Sequence, residues 1–79
     1  MHSVYILYSR SYNRYYIGHT ENIEKRLALH NSGAVKSTKS YGPWTVVNTE
    51  LFSTKQGAFK REWQIKSYKS GEAFKKLLK

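Results

Sequence analysis

Two short runs of β-branched and aromatic residues, Ser3-Val4-Tyr5-Ile6-Leu7-Tyr8 and Tyr15-Tyr16-Ile17-Gly18, flank the polar stretch Ser9 to Arg14. This pattern opens the chain as a β-hairpin with a six-residue loop. The hairpin needs cover from the rest of the chain, because a protein of 79 residues buries only about 60% of the surface its unfolded state exposes. A single domain over residues 1–79 is expected. Leu, Ile, Val and Phe together supply 17 residues, just above the roughly 20% below which a highly charged chain stays disordered. Seven Tyr and two Trp make up the deficit, since each ring buries roughly 150–250 Å² while keeping a polar tip.

Beyond the hairpin, Thr20 or Asn22 can cap a helix whose first turn carries Glu21 and Glu24, where negative charge suits the dipole. That helix is expected to reach about Asn31, with Gly33 as its stop signal. Gly33 to Pro43 reads as a basic loop holding Lys36 and Lys39. Trp44 to Phe52 carries apolar residues on both parities, as a central strand covered on both faces would. Thr54 opens a second helix through about Lys69, Ser70-Gly71 breaks it, and Glu72 to Lys79 forms a short third helix. The order ββαβαα predicts an α/β fold, a three-stranded antiparallel sheet flanked by helices.

Absences narrow the chemistry. With no Cys there is no disulfide framework and no thiolate zinc site. The longest apolar run, Val4 to Tyr8, is far short of the ~20 residues that span a bilayer. No charged segment followed by an apolar one opens the chain, so a cytoplasmic location is expected. The five acids are all Glu, which excludes aspartate dyads, EF-hand loops and most carboxylate-rich two-metal sites.

Several residues break the amphipathic pattern. At about 100° per residue, with Ala58 at zero, Ile65 falls near −20°, Phe59 near 100° and Trp63 near 140°, and Glu62 lands inside that apolar arc at about 40°. A buried carboxylate needs a cation, which could be a metal, an Arg or a Lys. Lys66, four residues on, is the ordinary candidate. In the first helix Arg26 and His30 share the core-facing side with Ile23 and Leu27. A guanidinium and an imidazole one turn apart make a phosphate site, or else Arg26 snorkels and His30 is a satisfied core histidine. Tyr5 has opposite parity to Val4 and Ile6 and so belongs to the other face. Tyr16 lies two residues before Gly18, a strand glycine that marks close approach of backbone or ligand. Either Tyr alone is as readily packing as chemistry. Glu21, Glu24 and Glu72 occupy first turns and Glu50 lies near a strand end, so Glu62 is the carboxylate left over.

Together these pieces resemble the GIY-YIG nuclease superfamily. The resemblance rests on Ser3-Val4-Tyr5, on Tyr16-Ile17-Gly18 eleven residues after the first Tyr, on Arg26 ten after the second, and on His30 and Glu62. It covers essentially the whole chain and is greatest to small stand-alone bacterial members, little more than the nuclease module of excision-repair incision enzymes and some homing endonucleases. It implies that Tyr5 and Tyr16 line the attacking-water side, that Arg26 steadies the scissile phosphate, and that Glu62 holds one Mg²⁺ or Mn²⁺. His30 matches a position often occupied by His, and His19 stands where some relatives place a basic residue near the nucleophile. Ser3 replaces the Gly of the family name, and a polar residue that some members carry late in the domain has no clear match. A free Tyr has a pKa near 10, so a neighbouring cation such as Arg26 or a metal is expected to lower that of Tyr5, which then takes the proton from water directly or through His19. These side chains are expected to converge on one phosphorus atom.

The net charge of +9 suits a polyphosphate partner. Lys36, Lys39 and Lys66 are the first candidates for DNA contacts, with Lys55, Lys60, Lys69, Lys75 and Lys76 adding to the field. The alternative is a basic surface that only keeps the chain dissolved. No sequence-reading motif is present, so cleavage of DNA with low sequence specificity, or directed by branched or damaged structure, is the expected activity. A nucleic-acid-binding module without turnover, or an adaptor of a DNA repair assembly, is the competing reading.

Overall fold

The computed structural model describes residues 1–69 and 71–78. The elements are β1 (His2–Ser9), β2 (Arg14–Thr20), α1 (Ile23–Asn31), β3 (Thr45–Phe52), α2 (Lys55–Ser67) and α3 (Glu72–Leu77). The strands form one antiparallel sheet in the order β2-β1-β3, so the expected ββαβαα architecture stands. The expected break at Ser70 and the helix end at Lys79 lie outside the described residues.

Ser9 pairs with Arg14 as the last rung of the hairpin, which shortens its loop from the expected six residues to 10–13. Asn13 turns the corner in the left-handed region, with φ 51°, and its side-chain oxygen accepts the Tyr8 hydroxyl at 3.1 Å. Asn22, of the two possible caps, starts α1 by accepting the Lys25 N–H at 3.0 Å. Gly33 follows at φ +85°, a conformation that favours glycine. Thr54 caps α2 through the Gly57 N–H at 3.1 Å, and the helix ends at Ser67, two residues before the expected limit.

Each sheet face is covered separately. On the side of α2 and α3, Val4 and Ile6 pack with Ala58, Ile65 and Phe74, joined by Ile17, Phe52 and Tyr68. On the side of α1, Tyr5, Leu7 and Trp44 pack with Tyr16, Ile23 and Leu27. Both clusters draw on β1, where five successive residues from Ser3 to Leu7 are buried. The expectation of a central third strand is therefore corrected: β1 is central and β3 is an edge. A register shift between Ile6 and Leu7 leaves Val47 without a partner, since Leu7 faces Val46 and Ile6 faces Asn48. This bulge swaps the faces of β3. Val46 joins the α1-side cluster, whereas Phe52, of the same parity, joins the α2-side cluster. Apolar residues on both parities thus reflect an edge strand with Val47 and Leu51 exposed, the latter 66%.

The 33–43 loop is tethered from within. The Asn31 amide accepts the Trp44 N–H at 2.6 Å and donates to the Trp44 carbonyl at 3.0 Å. The Trp44 indole N–H donates to the Thr38 carbonyl at 3.0 Å, and the Gly42-Pro43 peptide is cis. On the opposite layer the Arg61 fork binds both oxygens of Glu50, at 2.7 and 3.0 Å, tying α2 to β3. The expected packing of Phe59 and Trp63 is also corrected: α2 buries only Ala58, Glu62 and Ile65, and the two rings face water.

Candidate active site

Tyr5 projects from the central strand, and its neighbour across the ladder is Gly18. A side-chain carbon at Gly18 would sit 2.5 Å from the Tyr5 hydroxyl oxygen and 2.7 Å from its ring carbon Cζ. Glycine here is a requirement of close approach, because the phenol lies where a neighbour's Cβ would be. Tyr16, one inward-facing position earlier on β2, brings its ring to 6.4 Å from Tyr5 at an interplanar angle of 30° and to 4.9 Å from His30.

The two anomalous residues of α1 meet these phenols. His30 is buried and its Nε2 lies 3.0 Å from the Tyr5 hydroxyl. Its Nδ1 lies 2.7 Å from Oγ1 of Thr38, which is itself fully buried. The Thr38 hydroxyl is 3.4 Å from the Val35 carbonyl. A single proton assignment satisfies the chain: Thr38 donates to Val35, His30 Nδ1–H donates to Thr38, and the Tyr5 hydroxyl donates to the bare Nε2. Arg26 is half-buried beside this chain, and its closeness to the Tyr5 hydroxyl makes its charge harder still to remove.

Burial first, and the Arg26 charge second, hold His30 below its ordinary value of 6.5, so the imidazole is neutral at neutral pH. Burial raises the Tyr5 phenol above 10.0, against the pull of Arg26, with the charges of Tyr16 and Glu62 adding to the rise. The expectation that Arg26 lowers the Tyr5 pKa is thereby corrected. A cation stabilises phenolate, but desolvation of a ring with 1% exposure outweighs it.

Glu62 and His19 form a second group across β2. Tyr16 and Gly18 face the α1 side of this edge strand, whereas Ile17 and His19 face the α2 side. Glu62, 9% exposed, accepts from Lys66 Nζ at 2.6 Å through one carboxylate oxygen and meets His19 Nδ1 at 2.5 Å through the other. Burial alone would raise its pKa, but these two partners outweigh it and hold the carboxyl below 4.5. The side chains expected to converge on one phosphorus atom lie in two groups. Tyr5, Tyr16, Arg26 and His30 assemble on one flank of β2, and Glu62, His19 and Lys66 on the other. The partner of Tyr5 is His30 rather than His19. The two groups adjoin around an edge strand, closely enough that the Glu62 charge bears on Tyr5.

Nothing in the sequence pointed to Thr38, a residue of a small polar loop whose partner is eight positions away. Lys66 serves Glu62 in this structure, whereas Lys36 and Lys39 are exposed on the loop. An open depression of about 390 Å³ lies beside Arg26, lined also by Thr20, Glu21, Asn22, Lys25 and Leu29. Among the described residues no three His or Glu side chains gather as a metal cluster. The donor set suits at most one hard cation on Glu62, its other ligands being water and substrate oxygens, and Lys66, 45% exposed, would have to yield its place.

A family model for the GIY-YIG catalytic domain matches residues 1–75. The UPF0213 protein SH2523 of Staphylococcus haemolyticus is 39% identical over 77 residues, covering 96% of this chain and 93% of that one. A UPF0213 protein of Halobacterium salinarum is 40% identical over 67 residues, covering 84% and 86%. Among solved structures, the solution NMR structure of the UPF0213 protein BH0048 from Bacillus halodurans superposes with a TM-score of 0.50 at 34% identity, covering 84% of this chain and 70% of that one. With the family model matching nearly the whole length and relatives at this identity covering most of both chains, the chain belongs to the GIY-YIG catalytic-domain family.

Proposed function

We propose that this protein is a metal-dependent endonuclease that hydrolyses phosphodiester bonds in DNA with low sequence specificity or by recognising DNA structure. The observation that carries the reading is the Tyr5–His30 hydrogen bond beside Arg26, with Glu62, the one buried carboxylate among the described residues, around the rim of the same strand. Arg26 binds the scissile phosphate and stabilises charge on its oxygens. A phosphate against Arg26 also offsets the positive charge that is the lesser cause of the depressed His30 pKa, so substrate binding returns part of the imidazole's basicity, while burial still opposes it. Water then attacks phosphorus. Its proton passes to the Tyr5 oxygen as the Tyr5 proton moves to His30 Nε2, so Tyr5 relays a proton without standing as a phenolate. The bond from phosphorus to the leaving oxygen breaks, and that oxygen is protonated from solvent. Tyr16 packs against Tyr5 and His30 and keeps them aligned. One Mg²⁺ or Mn²⁺ on Glu62 would supply Lewis-acid stabilisation of the phosphoryl and leaving oxygens. His19 holds one oxygen of Glu62 and sets the direction of the other.

A second reading has a specific observation behind it: both oxygens of Glu62 are already engaged, by Lys66 and His19. A basic module of this kind would bind DNA without turning it over. Purified protein incubated with supercoiled plasmid and with branched DNA, in Mg²⁺, Mn²⁺ or EDTA, separates the two. Nicking that requires metal and is lost in Glu62→Gln is the expected result. Salt-sensitive binding with no nicking in any metal would establish the module instead.

A further inference from the structure

The exposed side of α2 carries two large rings that the core does not use. Phe59 is 49% and Trp63 60% exposed, one helical turn apart, with ring centroids 6.2 Å from each other and planes at 78°. The strip continues to the candidate site, because the His19 imidazole meets Phe59 edge-on at 6.2 Å and His19 contacts Glu62. On the helical wheel, Lys66 and Lys60 lie to either side of the strip, at about 80° and 200° from Ala58, and both are exposed.

Aromatic faces bordered by lysines are what a flexible nucleic-acid strand binds: bases stack on the rings while ammonium groups neutralise the phosphates. A second copy of this chain would bring another +9 to the same basic helix, so like charge opposes that occupant. We propose that Phe59 and Trp63 form a stacking platform for unpaired DNA bases next to the catalytic centre, and that the preferred substrate carries a single-stranded segment there. Bases inside an intact duplex have no free face to offer. The proposal rests on the nuclease reading for its substrate class, but the binding itself is measured without cleavage.

The molecule provides its own reporter, since Trp63 is exposed whereas Trp44 is only 3% exposed. In EDTA, a twelve-residue oligothymidylate is expected to quench Trp63 emission, and an abasic oligomer with the same number of phosphates is not. By anisotropy of labelled oligomers, Trp63→Ala or Phe59→Ala is expected to weaken oligothymidylate binding about 5- to 100-fold. Duplex and abasic binding should hold, with an unchanged salt slope. Trp63→Phe, which keeps a ring, should recover most of the affinity, so the loss cannot be ascribed to misfolding. Equal wild-type affinity for oligothymidylate and the abasic oligomer would overturn the proposal, as would an equal loss of duplex binding in the alanine variants. Base-dependent binding without nicking in any metal refutes the nuclease reading and supports the platform. Nicking without base-dependent binding does the reverse.

Discussion

Tyr5 carries the heaviest chemical burden and is also among the most deeply buried residues. In the proposed step its hydroxyl links the attacking water to His30, so Tyr5→Phe removes the relay while the ring still fills its place. Cleavage should fall about 10²- to 10⁴-fold, in the range for loss of a positioned proton-transfer group; a variant as fast as wild type across pH would refute the relay. His30 makes a separate prediction about stability. Its native pKa is depressed, so the unfolded chain takes up a proton as pH drops below about 6.5 while the native fold resists. Stability from this residue is complete above that value and lost as the solution is acidified. The urea midpoint should therefore fall between pH 7 and pH 5 more steeply in wild type than in His30→Asn, and parallel trends would contradict it. Arg26, His30 and Glu62 stand out in the sequence because each is a polar group on an apolar arc, whereas Tyr5 is ambiguous by parity alone and is singled out only by its place in the motif. Thr38 violates nothing, and its role exists only once the loop folds back onto α1. The direction of the Tyr5 shift was illegible for a related reason: sequence supplies the neighbouring charge but not the burial that outweighs it.

Among the elements, β2 is the one on which both halves of the site depend, and Gly18 is its narrowest point. Gly18→Ala forces a methyl group onto the Tyr5 phenol, a buried ring held by His30. Overpacking of this kind costs typically 1–3 kcal/mol, which in a domain this small lowers Tm by roughly 4–8 °C per kcal/mol. The expected outcome is a lower melting temperature together with loss of metal-dependent nicking; a variant that melts and cuts as wild type does would show that the close approach is dispensable. The hairpin, the Thr54 cap and the helices α1 to α3 can be read from turn chemistry and periodicity, the α1 cap only to within Thr20 or Asn22. The sheet order cannot. The Val47 bulge disguises an edge strand as a doubly covered one, since one parity serves the two faces in turn. The helical wheel sets Glu62 inside α2's buried arc, where it lies, but sets Phe59 and Trp63 there too, because it gives the direction of an arc and not its width.

For the whole molecule, the excess of positive charge is the property that acts at longest range. If about four phosphates are neutralised, duplex affinity should fall with salt at a log–log slope near −3.6. Lys36→Ala or Lys39→Ala should each reduce that slope by about 0.9 if its ammonium contacts the backbone. A slope unmoved by both would place the DNA path elsewhere. Among the described residues no helix is long and apolar enough to cross a membrane, and the lysines of the helices and loop face water. The central strand imposes a last condition. Val4 and Ile6 belong to one layer, and Tyr5 and Leu7 to the other. With Leu7 onward held by the hairpin, inserting a single residue between Ile6 and Leu7 would turn the first half of the strand inside out. The phenol would then enter the aliphatic layer and an isoleucine would face the guanidinium. Length variation is tolerable at the 10–13 turn, but the short path from Ser3 to Leu7 admits none.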